Sequence, residues 1–296
     1  IPTVAPGERQ FLHPLKINTE NKDGIAKAVA AAKKAEIVLL AIGEDAYQTG
    51  EGRSQVDIGF AGLQNELLEA VYEVNKNIVL VLSNGRPMDL THANEILPAI
   101  LVTWQLGSES GNGIADVLFG DYNPSAKLPV SFPRNVGQEP LYYNQKNTGR
   151  PYHPKHVTYA GYTDVEKWPL FPFGFGLSYT TFSYNNIKVD KETISSEEKI
   201  TLSVEVTNSG NIAGEEVVQL YIRDLVASIV RPVKELKGFE KISLNSGETK
   251  TVTFTIDKEV LQFYTINKKW EVEAGDFQLF VGGNSATKLV QKITVE

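Results

Sequence analysis

The sequence contains no cysteine. Disulfides, thiolate metal sites and cysteine nucleophiles are therefore excluded, while the redox state of the compartment stays open. No apolar run approaches the about 18 residues that a membrane-spanning helix needs. No lysine and arginine cluster forms a basic patch, and the formal net charge is -7. Such a chain repels phosphate, which argues against nucleic acid as a partner. Repeats and low-complexity tracts are also missing. The first residue is Ile1, with neither Met nor a signal segment ahead of it, so the chain is expected to be a processed protein or a fragment.

What is present is ordinary for a globular protein, with 42% hydrophobic and 22% charged residues. The 296 residues are enough for two domains. From about residue 20 to 135 helical and strand patterns alternate. Asp23 is placed to cap a helix whose apolar face is Ile25, Ala28, Val29 and Ala32. Residues 37–42 form a continuous apolar run, which predicts a strand buried on both faces. A helix follows over 63–74, then strands over 78–82 and 99–104. A helix over 108–119 closes at Gly120, a C-terminal cap position. This succession predicts an α/β fold with a mostly parallel sheet.

From about residue 182 the period changes to two. Leu202, Val204 and Val206 alternate with polar residues, as do Val252, Phe254 and Ile256. Turn signals recur as NSGN, NSGE, EAGD and GGNS. About seven short strands with this spacing predict an all-β, immunoglobulin-like or fibronectin type III-like sandwich. The expected organisation is an α/β domain over 1–135, an interdomain loop over 136–181 and the sandwich over 182–296. The loop is rich in Asn, Tyr, Pro and Gly, and Phe171–Phe182 is expected to act as cement.

Carboxylates gather where the first strand ends. The stretch IGEDAYQTGEGRSQVDI holds Glu44, Asp45, Glu51 and Asp57 around Arg53. It is no phosphate loop, because Gly50 is followed by Glu51 and the dinucleotide fingerprint fails at Gln55. Ligands of open α/β sheets meet the carboxyl ends of the strands. Glycosidic cleavage uses paired carboxyl groups, one delivering a proton to the leaving oxygen. Gly50 and Gly52 would let the backbone bring Glu51 close to a ligand. Polar strand ends usually serve solvation alone, and from the pattern alone that reading is favoured. No metal site is expected: His153 and His156 are spaced like ligands on a helix, but Pro154 lies between them. Ser83, Ser108 and Ser110 belong to no nucleophile elbow. Trp104 is either packing or a sugar-facing platform, with packing favoured.

Several ordered segments together resemble glycoside hydrolase family 3. They are the carboxylate stretch, VLVLSNGRPMDL, LVTWQLGSESGNGIADVLFGDYNPSAKLPVSFPRNVGQEPLYYN, NTGRPY and FPFGFGLSYTTF. The likeness is to the bacterial periplasmic β-glucosidase type. VTNSGNIAGEEVVQLYIRD and RPVKELKGFEKISL resemble the fibronectin type III-like domain that ends many such enzymes. The resemblance implies a retaining hydrolase of β-glucosides or oligosaccharides, needing no cofactor, with a periplasmic or secreted location. It implies an Asp nucleophile on an N-terminal (β/α)8 barrel and an acid/base Glu on the following α/β sandwich domain. The matching position is Glu51, with Glu44 as the reserve and otherwise structural. Arg53 is expected to face away from the Glu51 carboxylate, since its charge would oppose protonation. The chain lacks the barrel and is expected to be inactive alone. A stand-alone carbohydrate-binding or structural module, using Tyr142, Tyr143 or Tyr152, is the alternative, as is a β-xylosidase of the same family.

Overall fold

The structure is a computed structural model and describes residues 17–45, 47–150, 153, 158 and 160–296. The chain divides into two compact units. The first ends at Ala115 and includes Phe132–Glu139; the second takes Asp116–Ser131 and Pro140–Glu296.

The first unit begins with α1 (Asp23–Ala32), β1 (Val38–Gly43), α2 (Gln64–Val74) and β2 (Ile78–Ser83). It continues with α3 (Thr91–Ile96), β3 (Ala99–Trp104) and the start of α4 (Ser110–Phe119), which runs on into the second unit. The strands form one parallel sheet in the order β1-β2-β3. Ile78, Leu80 and Leu82 on the central strand are fully buried, since neighbours flank β2 on both edges. The helix α1 turns its predicted face inward, ending at buried Ala32. Its C-terminal end is tied down by Asn75, whose Nδ2 donates to the carbonyls of Ala32 and Ala35. Gly120 has φ +84°, which suits the predicted stop.

Three sequence expectations need correction. Asp23 is the first helical residue rather than the cap, and its backbone N–H donates to Oδ1 of Asn21. The Asp23 carboxylate still sits where the helix dipole favours negative charge. The fourth helix starts at Ser110, two residues later than expected. Most consequentially, β1 is not buried on both faces. Leu40 and Ile42 are buried, but Leu39 is 51% exposed and Ile37, just ahead of the strand, 56%. An apolar run shows which residues tolerate burial. It does not show what covers them, and this face of β1 is left half exposed.

The second unit is built on two sheets. β4 (Phe182–Val189), β6 (Ile200–Asn208) and β9 (Thr249–Ile256) make an antiparallel sheet in the order β4-β6-β9. The other contains β5 (Thr193–Ile194), β7 (Gly214–Asp224), β8 (Glu235–Leu244), β12 (Gly275–Gly282) and β13 (Val290–Val295), in the order β5-β13-β12-β7-β8. The helical turn α5 (Lys258–Leu261) and a hairpin of β10 (Phe263–Tyr264) and β11 (Trp270–Glu271) complete it. Alternate residues of each sheet face one shared core, including Leu202, Val204, Phe254, Leu279 and Ile293. That is a β-sandwich with inward apolar and outward polar positions, as the period of two predicts.

Loop segments are fastened to the sandwich. Tyr143 stacks on Phe173 at 4.2 Å, and both pack edge-on against buried Tyr221. Nζ of Lys127 donates to the carboxylate of Glu216 at 3.0 Å, and the Tyr184 hydroxyl donates to the same carboxylate at 2.7 Å. Among the described residues no helix is long and apolar enough to cross a membrane.

Candidate active site

Parallel pairing of β1 with β2 puts Gly43 opposite Ser83. Residues that follow these two strands must therefore emerge side by side at the carboxyl edge of the sheet. Gly43 has φ +139°, and a Cβ there would lie 2.0 Å from the Ser83 carbonyl oxygen, so only glycine fits. The Glu44 N–H donates to that same carbonyl at 2.7 Å.

Glu44 is buried, and its carboxylate is fully engaged. Oε1 accepts from Nε of Arg86 at 2.7 Å, and Oε2 accepts from the Gly85 N–H at 3.0 Å. A carboxylate this deep is tolerable because both oxygens receive donors and a guanidinium balances the charge. Arg86 does more than neutralise Glu44. Its Nη2 donates to the carbonyl of Gln48 at 2.5 Å and to that of Arg53 at 2.8 Å. Those carbonyls are the two roots of the turn that carries Glu51. Asn84, fully buried, holds the Arg86 backbone through Nδ2 to the Arg86 carbonyl at 2.8 Å.

The rest of the loop is fixed locally. Oδ1 of Asp45 accepts from the N–H groups of Tyr47 and Gln48, an Asx-type turn. Nε2 of Gln105, just past β3, donates to the Thr49 hydroxyl at 2.9 Å. Between the roots, Gly50 at φ +112° and Gly52 at φ +68° reverse the chain around Glu51. Glu51 is exposed, and among the described residues its carboxylate has no hydrogen-bond or ion-pair partner. No ion pair joins it to Arg53, whose backbone rather than side chain serves the turn. Asp57 binds the Gly59 N–H at 2.9 Å and is exposed.

A trough of about 1470 Å³ runs past this edge, lined by Glu44, Gln48, Trp104 and Gln105 among others. Trp104 has φ +52° and packs edge-on against Phe132, with ring centroids 5.9 Å apart. It is both a packing residue and part of the trough wall. His153 is exposed, as expected of a loop histidine, while His156 and the sugar-binding candidate Tyr152 lie outside the described residues. Tyr142 is exposed, whereas the Tyr143 hydroxyl accepts from the Leu236 N–H and its ring is stacked. Among the described residues no group of three or more His, Asp or Glu side chains is arranged to hold a metal ion.

Arg86 is the residue that sequence reasoning missed. Its signal was present: SNGRP follows a strand that pairs in parallel with the one before Glu44.

The model of the glycosyl hydrolase family 3 C-terminal domain matches residues 4–179. The chain belongs to glycoside hydrolase family 3. A fibronectin type III-like model matches residues 216–285, within the sandwich. Among the chain's relatives, a periplasmic beta-glucosidase of Salmonella typhimurium is 50% identical over 264 residues, covering 88% of this chain and 34% of that protein. A beta-xylosidase of Formosa agariphila is 42% identical over 273 residues, covering 91% and 36%. A beta-glucosidase from Listeria innocua, solved in complex with glucose, has a similar structure. It is 37% identical with a TM-score of 0.89, covering 95% of this chain and 39% of the other. The chain thus spans about a third of the length of the curated relatives it matches.

Proposed function

We propose that this chain is the C-terminal part of a retaining β-glucosidase, to which it supplies the general acid/base Glu51. The observation that carries the reading is the division of labour between two acids. Glu44 is buried and spent on Arg86, whereas Glu51 is exposed and, among the described residues, unpaired on a turn whose two roots that same arginine holds. A proton-transfer group must reach the substrate, and a positioned turn supplies the orientation that such catalysis needs.

In the assembled enzyme Glu51-H gives its proton to the glycosidic oxygen while an Asp of the N-terminal (β/α)8 barrel attacks C1. The resulting carboxylate then takes a proton from the water that releases the sugar. A retaining pair stands about 5–5.5 Å apart. The chain brings one carboxyl of that pair and is inactive alone. An α/β domain to 135, a loop to 181 and a sandwich from 182 belong to the same reading; the family 3 match ends at residue 179, near the expected start of the sandwich. A periplasmic or secreted location is supported by the name of the Salmonella relative.

The test uses the full-length enzyme and an aryl β-glucoside with a good leaving group. Glu51→Ala is expected to slow turnover about 10²–10⁴-fold, with azide restoring it and yielding the β-glucosyl azide. Full activity of the variant would remove Glu51 from the mechanism. A β-xylosidase specificity is the second reading, favoured by the Formosa relative. Comparing kcat/KM on matched aryl glucoside and xyloside decides between them.

A further inference from the structure

Arg86 holds the two roots of the Glu51 turn, but the residue nearest its tip is held from elsewhere. Thr49 directly precedes Gly50 and is gripped between the ends of β2 and β3. On one side it lies against Gly85, just past β2. A Cβ on Gly85 would meet the Thr49 hydroxyl oxygen at 2.4 Å and the Thr49 Cβ at 2.5 Å, so any side chain there would displace Thr49. On the other side the Thr49 hydroxyl accepts from Nε2 of Gln105 at 2.9 Å.

Gln105 does not reach Thr49 by regular strand geometry. β2 and β3 pair evenly as far as Leu82 and Val102, and then Ser83 pairs with Trp104, so Thr103 is an extra residue. The buried Thr103 hydroxyl donates to the Leu82 carbonyl at 2.8 Å, which satisfies that carbonyl at the step. Trp104 then takes φ +52°, a conformation that a bulky residue adopts only at a cost. Its carbonyl accepts from the Ser83 hydroxyl at 3.3 Å and from the Asn84 N–H at 3.4 Å, and its ring packs on Phe132. Bulges are rare in parallel pairs, and beside active sites they re-aim a side chain. The side chain that follows this one is Gln105. It is exposed, so its amide braces no core.

We propose that Gln105 is a positioning residue for Glu51, acting through Thr49, and that the kink at Trp104 is what aims it. This role depends on Glu51 being the acid/base proposed above. Gly50 and Gly52 flank Glu51 with open space around both. With glycine on either side, the carboxyl takes its direction from the last fixed point of the chain. On the N-terminal side that point is Thr49. An acid misplaced by about 1 Å can cost about a hundredfold in rate, and one neutral hydrogen bond that holds it is worth about tenfold.

The test uses the full-length enzyme and two substrates. Phenyl β-glucoside needs its leaving oxygen protonated, whereas dinitrophenyl β-glucoside releases a stable anion without help. Gln105→Met removes the amide at similar length, and Thr49→Val removes the hydroxyl at the same shape. Each is expected to lower kcat/KM about tenfold on the phenyl glucoside and less than about twofold on the dinitrophenyl one, at unchanged melting temperature. The double variant should lose no more than either single one, because both break the same bond. Thr49→Ser keeps the hydroxyl and should keep most activity. Equal losses on both substrates would make the bond a general brace of the loop and would overturn the proposal. So would full activity of both single variants, or losses that add. Glu51→Ala is run on the same two substrates. If it alone shows the leaving-group dependence, the positioning role fails and the acid/base reading stands. If Glu51→Ala is fully active, both fall.

Discussion

Arg86 and Glu44, 42 positions apart in sequence, meet at 2.7 Å at the carboxyl edge of the parallel sheet. The arginine's Nη2 donates to the two carbonyls that flank the Glu51 turn. Fold stability and placement of the exposed acid therefore share one side chain.

Arg86→Met strands the buried Glu44 carboxylate. The cost is expected to be about 3 kcal/mol, read as a lowered urea midpoint at constant slope. In the full-length enzyme the same change should lower kcat, because the turn loses both roots. An unchanged midpoint would mean that Glu44 finds another partner.

Glu44→Gln separates structure from chemistry. The amide keeps an acceptor for Arg86, so the variant is expected to fold and to retain most activity in the full-length enzyme. Loss of turnover with rescue by azide would transfer the acid/base role from Glu51 to Glu44.

The strand-end and turn glycines should differ sharply. Gly43→Ala would push a Cβ to 2.0 Å from a backbone oxygen at φ +139°. We expect at least about 3 kcal/mol of destabilisation, or no folded protein. Gly52 at φ +68° has open space around it, so Gly52→Ala should cost about 1 kcal/mol and act mainly on kcat.

Much of this was legible beforehand, for identifiable reasons. The strand over 99–104 and the sandwich strands around Leu202 and Val252 announce themselves by local pattern, which chain-neighbour physics decides. The helix α3 escaped because six residues, THANEI, are too few for an apolar period to show. The half-exposed face at Leu39 escaped because cover is a tertiary property. Arg86 escaped because an ion pair 42 residues wide has no local signature, although strand register would have brought it to Glu44. The choice of Glu51 over its neighbours rests on resemblance, since polar strand ends look alike.

Lys234 gives a prediction in pH. Its ammonium donates to the carbonyls of Ser285 and Thr287, while burial and then the charge of Arg223 push it down from 10.5 to about 8. The unfolded chain then holds the proton more tightly than the folded one. Stability linked to this lysine should therefore rise as pH increases through about 8 and level off near 10.5. The neutral amine keeps two N–H groups for its two carbonyls. Measured as Tm, the wild type should gain on Lys234→Met between those values, and a constant difference would refute it.

Leu202→Ala removes a fully buried side chain from the sandwich core. About 3 kcal/mol should be lost in thermal or urea unfolding, and less than about 1 would show that the core collapses onto the hole.

Rooting the Glu51 turn at both ends on one guanidinium has a consequence for how such a protein can change. Gln48 and Arg53 contribute only their carbonyls to that bond, and every residue has a carbonyl. Thr49 is held by Gln105, but the tip from Gly50 to Gly52 can be exchanged, lengthened or shortened without disturbing the sheet. The turn is a cassette seated in a fixed socket, and a lineage can retune where its acid reaches while leaving the fold beneath untouched.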